Sequence, residues 1–181
     1  KNLGNVTEAQ RNYPKAENYF MKGLSILESI SEPPQADLAS LFSCLGNHFR
    51  LINKFEQSED YYVKCLNIQL QYLDSKGASI ADTYSSLGFV YRLSEKYEKS
   101  LELYLQCLVI QEVTLAPNCL NLVHTYKNIA LVTGSLRDFA KSSEFYLKCL
   151  HIQQASLGPD GLEVANTYKL LGDCYRSSRA F

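Results

Sequence analysis

Between residues 84 and 108, apolar and aromatic side chains fall into two helical stripes. Tyr84, Leu87, Gly88 and Tyr91 stand at i, i+3, i+4 and i+7, one face of an α-helix. A polar break at Ser94-Glu95-Lys96 follows. A second stripe then begins with Tyr97, Leu101, Tyr104 and Leu108, with Ser100 and Cys107 beside it. The pattern predicts two antiparallel helices, A and B, joined by a short turn.

The same pattern recurs along the whole chain. Gly4, Gly46, Gly88, Ala130 and Gly172 are spaced 42 residues apart, as are Tyr13, Phe55, Tyr97, Phe139 and Phe181. Phe20, Tyr62, Tyr104 and Tyr146 keep that spacing, and so do Leu24, Leu66, Leu108 and Leu150, and Ile26, Ile68, Ile110 and Ile152. A fixed period without insertions is the mark of stacked repeats, in which each helix pair buries its apolar face against the next. The expected divisions are a partial repeat 1–35, repeats 36–77, 78–119 and 120–161, and a partial repeat 162–181. They form a single array, expected to be a fragment of a longer protein, since the chain opens KNLGNV with neither a Met nor a charged-then-apolar leader.

Turn residues and small residues fit this division. Pro14 suits the first turn of a B helix, where a missing N–H costs nothing. Pro33-Pro34, Ser75-Lys76-Gly77, Ala116-Pro117-Asn118 and Gly158-Pro159-Asp160-Gly161 occupy the joints between repeats. A glycine inside a helix costs about 1 kcal/mol against alanine. Gly46, Gly88, Ala130 and Gly172 are therefore expected to mark close approach of a neighbouring helix. Ala16, Ser58, Ser100 and Ser142 do so on helix B, with Gly23, Cys65, Cys107 and Cys149.

The order of these positions resembles the tetratricopeptide repeat, whose consensus runs Trp, Leu, Gly, Tyr in helix A and Ala, Phe, Ala in helix B. This chain carries Phe42, Leu45, Gly46, Phe49, Ser58, Tyr62, Cys65, then Tyr84, Leu87, Gly88, Tyr91, Ser100, Tyr104, Cys107. The next repeat reads Tyr126, Ile129, Ala130, Thr133, Ser142, Tyr146, Cys149. The usual period is about 34 residues; the longer period here, and the stretch YLKCLHIQQASLGPDGLEVANTYKLLG, are similar to the repeats of kinesin light chain. The resemblance implies an all-α fold, a right-handed superhelical α-solenoid of antiparallel helix pairs with a concave groove lined by the A helices. It also implies a non-catalytic protein-protein interaction module.

In such a groove the outward positions lie six and three residues before the marker glycine and one and four after it, all on one helix face. They are Ser40, Ser43, Asn47 and Arg50; Asp82, Ser85, Phe89 and Arg92; His124, Lys127, Leu131 and Gly134; and Asn166, Lys169, Asp173 and Arg176. Asn128 beside Lys127 matches an Asn common in light-chain repeats. The row is rich in Arg and Lys, and Phe89 and Leu131 are apolar where exposure is expected. Basic groups around an apolar middle suit an extended acidic peptide with one apolar anchor. The paired Lys and Asn with which chaperone-binding relatives clamp a C-terminal carboxylate is missing from every repeat.

Charge and composition narrow the classes further. Formal net charge is −1, so no global basic field calls for nucleic acid or an anionic membrane. No stretch of about 18 apolar residues is present to insert in a bilayer. Six cysteines, Cys44, Cys65, Cys107, Cys119, Cys149 and Cys174, include no C-x-x-C pair. They read as core thiols, not as a metal site, and point to a reducing, cytoplasmic setting. His48, His124 and His151 occupy three different repeat positions and read as surface or groove residues. The glycines are single and mid-helix, so no phosphate loop exists. The Asn5-Val6-Thr7 sequon falls inside a predicted helix. The Arg137-Asp138 and Glu144-Lys148 charges read as solvated helix pairs. No catalytic residue, metal ligand or cofactor is expected. Two readings stay open: a peptide-binding adaptor like kinesin light chain, or a structural or regulatory array that packs on other domains of its own chain or self-associates.

Overall fold

The computed structural model describes residues 12–72 and 77–179. Gly4, the Asn5-Val6-Thr7 sequon, Ser75, Lys76 and Phe181 lie outside them. The described residues form α1 (Tyr13–Glu28), α2 (Gln35–Leu51), α3 (Phe55–Tyr72), α4 (Ala78–Leu93), α5 (Tyr97–Thr114), α6 (Leu120–Ser135), α7 (Phe139–Leu157) and α8 (Leu162–Ser178), with no strand among them. Odd-numbered helices are of the B type and even-numbered ones of the A type. The chain packs as two compact units, residues 1–94 and 95–181.

In the first unit α2 packs on α1 and α3, and α4 packs on α3 and touches α2. The core joins Phe20 and Leu24 of α1 to Leu41, Phe42, Leu45 and Phe49 of α2 and Cys65 of α3. Burying each of the larger side chains contributes about 1.5–3 kcal/mol. Gly46 lets α3 approach: a Cβ there would lie 2.8 Å from the Tyr62 ring. The Ser58 hydroxyl donates to the Gly46 carbonyl at 2.7 Å, so the small B-helix residue also ties the two backbones together. His48 corrects the expectation of a surface histidine, for it is fully buried. Its ring meets Phe49 and Phe20 edge-on at 5.3 and 5.9 Å, and its Nε2 lies 3.5 Å from a Glu17 carboxylate oxygen. The A helix has two buried sides, one toward each flanking B helix, and His48 is on the α1 side.

In the second unit α6 packs on α5 and α7, and α8 packs on α7. Leu122, Tyr126, Ile129, Phe145, Tyr146, Leu150 and Leu171 are buried there. Ser142 repeats the link seen at Ser58, donating to the Ala130 carbonyl at 2.8 Å. Gly172 departs from the pattern: a Cβ there would meet nothing within 4 Å, because none of the described helices covers it. Arg137 and Asp138 also depart. They stand in the turn before α7, where the Asp138 side chain accepts from the Lys141 N–H as an N-cap. Glu144 and Lys148 do form the exposed i,i+4 pair, at 2.8 Å.

The A-to-B turns share one geometry. The Lys54 N–H donates to the Phe49 carbonyl at 2.8 Å and the Asn53 N–H to the Arg50 carbonyl at 3.1 Å; Asp138 to Thr133 and Arg137 to Gly134 do the same at 2.9 and 3.0 Å. This is the Schellman motif, which asks for a left-handed residue at its C′ position. Asn53, Glu95 and Arg137 take it, with φ of 58°, 60° and 64°. A glycine with positive φ ends α7 instead, at Gly158.

The seam between a B helix and the next A helix carries a second recurring link. Thr125 donates to Gln111 at 2.7 Å, and Thr167 donates to Gln153 at 2.8 Å. In the first unit Gln69 donates to the Ser79 carbonyl at 3.2 Å, and Thr83 approaches the Cys65 sulfur at 3.8 Å.

Candidate functional site

The A-helix row of the first unit is organised around one aromatic ring. Phe89 is half-buried on α4, with the Arg50 guanidinium carbon 5.3 Å and the Arg92 guanidinium carbon 4.7 Å from its ring centroid. Arg92 is one helical turn from Phe89, whereas Arg50 reaches it from the end of α2. Such stacking contributes about 0.5–1 kcal/mol at a partly exposed site and restricts two long side chains to one place. Arg50 also donates to the Asn47 side chain at 2.6 Å. Among the described residues neither arginine lies within ion-pair distance of a carboxylate, and the Arg92 Nε is buried with no hydrogen-bond partner.

Two residues outside the predicted row complete this cluster. Burial pushes the Tyr62 phenol up, while Ser86 and Arg50 beside its oxygen pull it back. The same Tyr62 ring that fits against Gly46 thus borders the Arg50 guanidinium. Ser86 stands 42 residues before Asn128, so the repeat spacing could have found it. Tyr62 carries a core period, which conceals the polar end of its side chain.

Asp82 is exposed on α4 and lies apart from the arginines. It borders a cavity of about 240 Å³ between α2 and α4, lined also by Ser40, Ser43, Ser79, Thr83 and Ser86. Ser85 is half-buried between this cavity and Phe89 along α4.

The row of the second unit is looser. Lys127, Asn128 and Leu131 are half-buried on α6, and His124 is exposed. On α8, Asn166, Lys169 and Arg176 are exposed, and Arg176 pairs with Asp173 at 2.8 Å. Leu131 and Asp173 share the lining of a cavity of about 250 Å³ with Gly134, Phe139, Tyr146 and Leu170. Burial pushes the nearby Cys149 thiol up to about 12, against the pull of Lys127. Cys149 is therefore an inert core thiol beside the row. Cys65, Cys107 and Cys174 are also buried, whereas Cys44 and Cys119 are half-buried.

Alternating A and B helices of this kind define the class of helical-repeat arrays. The tetratricopeptide-repeat family model matches residues 79–150 and 125–180, more than half of the chain, and the chain belongs to that family. Solved structures agree in fold. BtubC (BKLC) from P. vanneervenii superposes with a TM-score of 0.86 at 16% identity, covering 97% of this chain and 70% of that one. A kinesin-light-chain candidate of Podosopora anserina with nearly identical TPR-like repeats gives a TM-score of 0.87 at 14% identity, over 99% and 85% of the two chains. The apo form of RapI gives 0.84 at 17%, over 98% of this chain and 62% of that one. This is a tetratricopeptide-repeat protein similar in fold to kinesin light chain. Among curated proteins none matches it by sequence.

Proposed function

We propose that this chain is a non-catalytic interaction array that holds an extended peptide along the face of its A helices. The peptide is acidic and carries one apolar anchor, as in a cytoplasmic cargo adaptor of the kinesin-light-chain kind. One observation carries the reading: Arg50 and Arg92 converge on Phe89 without carboxylate partners among the described residues. Two uncompensated cations beside an accessible ring attract a carboxylate and an apolar side chain together. Asn47, Ser85 and Asp82 flank them in the first unit. In the second unit, Lys127, Asn128 and Leu131, with His124, Asn166, Lys169, Asp173 and Arg176, form an A-helix row of mixed charge.

The test is fluorescence binding of peptide pools graded in acidic content, to the unaltered chain and to the double variant Arg50→Glu/Arg92→Glu. Acidic pools should bind with micromolar affinity, and the double change should abolish that binding without lowering the melting temperature. Binding that ignores both arginines would remove the reading.

A second reading, docking of another helix onto the array, is favoured by α8. Leu162, Tyr168 and Tyr175 are 73%, 52% and 51% exposed there, and Gly172 is open. A concentration-dependent mass in light scattering, lost in Tyr168→Ser/Tyr175→Ser, would support self-association through that helix.

A further inference from the structure

We infer that the Arg50–Phe89–Arg92 cluster is a phosphate-reading subsite, built for a phosphorylated side chain of the bound peptide; this rests on the peptide-binding reading above and gives its ligand a chemical class. The two guanidinium carbons stand 5.3 and 4.7 Å from one ring centroid, so they lie no more than 10.0 Å apart. A single phosphoryl group, accepting N–H bonds of about 2.8 Å from both, bridges such a pair after small side-chain rotations.

The charge balance selects the dianion. A carboxylate would neutralise one of the two arginines. A phosphomonoester carries about −1.5 to −2 at pH 7 and three acceptor oxygens. Those oxygens answer the outer N–H groups of both guanidinium forks. Asn47 holds Arg50 at 2.6 Å, and Phe89 holds both guanidiniums, so little side-chain freedom remains to be lost on binding.

The neighbouring surface sets the rest of the peptide. Asp82 lies seven residues before Phe89 on the same helix, about 10.5 Å at 1.5 Å per residue. An extended peptide covers that distance in about three residues. The cavity there is lined by serines around one exposed carboxylate. The preferred ligand therefore carries a small, neutral or basic side chain about three residues from its phosphorylated one, and an acid at that place is repelled.

The test uses the whole chain and three degenerate peptide pools that differ only in a central Ser, Asp or phosphoserine. We expect the phosphoserine pool to bind at least tenfold more tightly than the Asp pool. Arg50→Gln and Arg92→Gln should each reduce that ratio to near one, and Phe89→Leu should lower it while the melting temperature holds. Lys148→Gln, in the second unit, should leave it unchanged. The second phosphate ionisation lies near pH 6, so the preference should shrink between pH 7 and 5.5 while binding of the Asp pool stays constant.

Equal binding of the Asp and phosphoserine pools, still dependent on the arginines, overturns the phosphate subsite and keeps the acidic-peptide reading. Absence of binding by every pool overturns both. A phosphoserine preference that survives both arginine changes places phosphate recognition elsewhere and overturns the assignment. Arginine-dependent retention on vesicles of anionic phospholipid, with no discrimination among the pools, also overturns it and makes the cluster a lipid contact.

Discussion

The Tyr62 ring occupies the space that a Cβ on Gly46 would need: three of its carbons would lie 2.8 to 2.9 Å from that atom. Tyr62 is itself buried, so the ring has no room to retreat. Gly46→Ala should therefore destabilise the chain by about 1–3 kcal/mol, even after the gain of about 1 kcal/mol in helix propensity. Gly172 holds the same place in its repeat but is open. There the propensity term acts alone, and Gly172→Ala should stabilise by about 1 kcal/mol. Urea melts of the two variants should shift in opposite directions.

Ser142 tests the tie between paired helices. It is 1% exposed, and its hydroxyl donates to the Ala130 carbonyl at 2.8 Å. Ser142→Ala keeps the small volume and removes the bond, so a loss of about 1 kcal/mol is expected. Ser142→Val adds bulk against the same backbone and should cost more. A Ser142→Ala variant that melts like the unaltered chain, with only Ser142→Val lowered, would show that volume alone sets the requirement.

The A-to-B turns hold left-handed residues that are not glycine. A side chain there costs roughly 1–2 kcal/mol, partly offset by the greater unfolded freedom of glycine. Glu95→Gly and Arg137→Gly should each raise stability by about 0.5–1 kcal/mol. A lower denaturation midpoint in either would show that the turn side chain contributes more than its backbone strain removes.

Alkaline pH should weaken the second unit. Burial holds the Cys149 thiol up to about 12 from 9.0 and the Tyr146 phenol up to about 12 from 10.0. Both groups stay protonated in the folded chain at a pH where the unfolded chain has released its protons. Their stabilising contribution is complete below pH 9 and falls as pH rises toward 12, by at most about 1.4 kcal/mol per pH unit for each group. Cys149→Ala should give a shallower fall from pH 9 upward. Denaturant melts between pH 8 and 11 check this.

The repeat was legible because its determinants are local and periodic. A face set by Tyr84, Leu87, Gly88 and Tyr91 fixes a helix, and the 42-residue spacing fixes its neighbours. Periodicity does not fix burial at every recurring place: Ile26 is 63% exposed and Ile152 is 3% exposed, although they share a register. The place of His48 was open to detection, since it shares a register with the buried Val90, Val132 and Cys174; the polarity of the residue type conceals it, and its environment is made by Phe20 and Glu17 on another helix. The left-handed turn residues were hidden because Asn53, Glu95 and Arg137 share a conformation and no side-chain chemistry. The row around Phe89 could be placed by spacing, but not the convergence of Arg50 and Arg92 on one ring. That depends on how far α4 sits from α2. The Thr125–Gln111 and Thr167–Gln153 links were open to detection, since both residue types recur every 42 positions.

Those Thr–Gln links bear on how such a chain avoids misassembly. Helices of near-identical length and pattern offer one another many pairings, each offset by a turn of about 5.4 Å. Apolar side chains discriminate poorly between neighbouring offsets, because one leucine fills a gap much as another does. A hydroxyl and an amide that meet across a largely buried seam favour a single alignment. A slip takes the partner from the amide at about 1–3 kcal/mol, while the Thr167 hydroxyl falls back on the Glu163 carbonyl of its own helix at 3.0 Å. The polar pair works as a key cut into an otherwise smooth contact. It adds little to the strength with which two repeats hold together and much to the certainty that they meet in step.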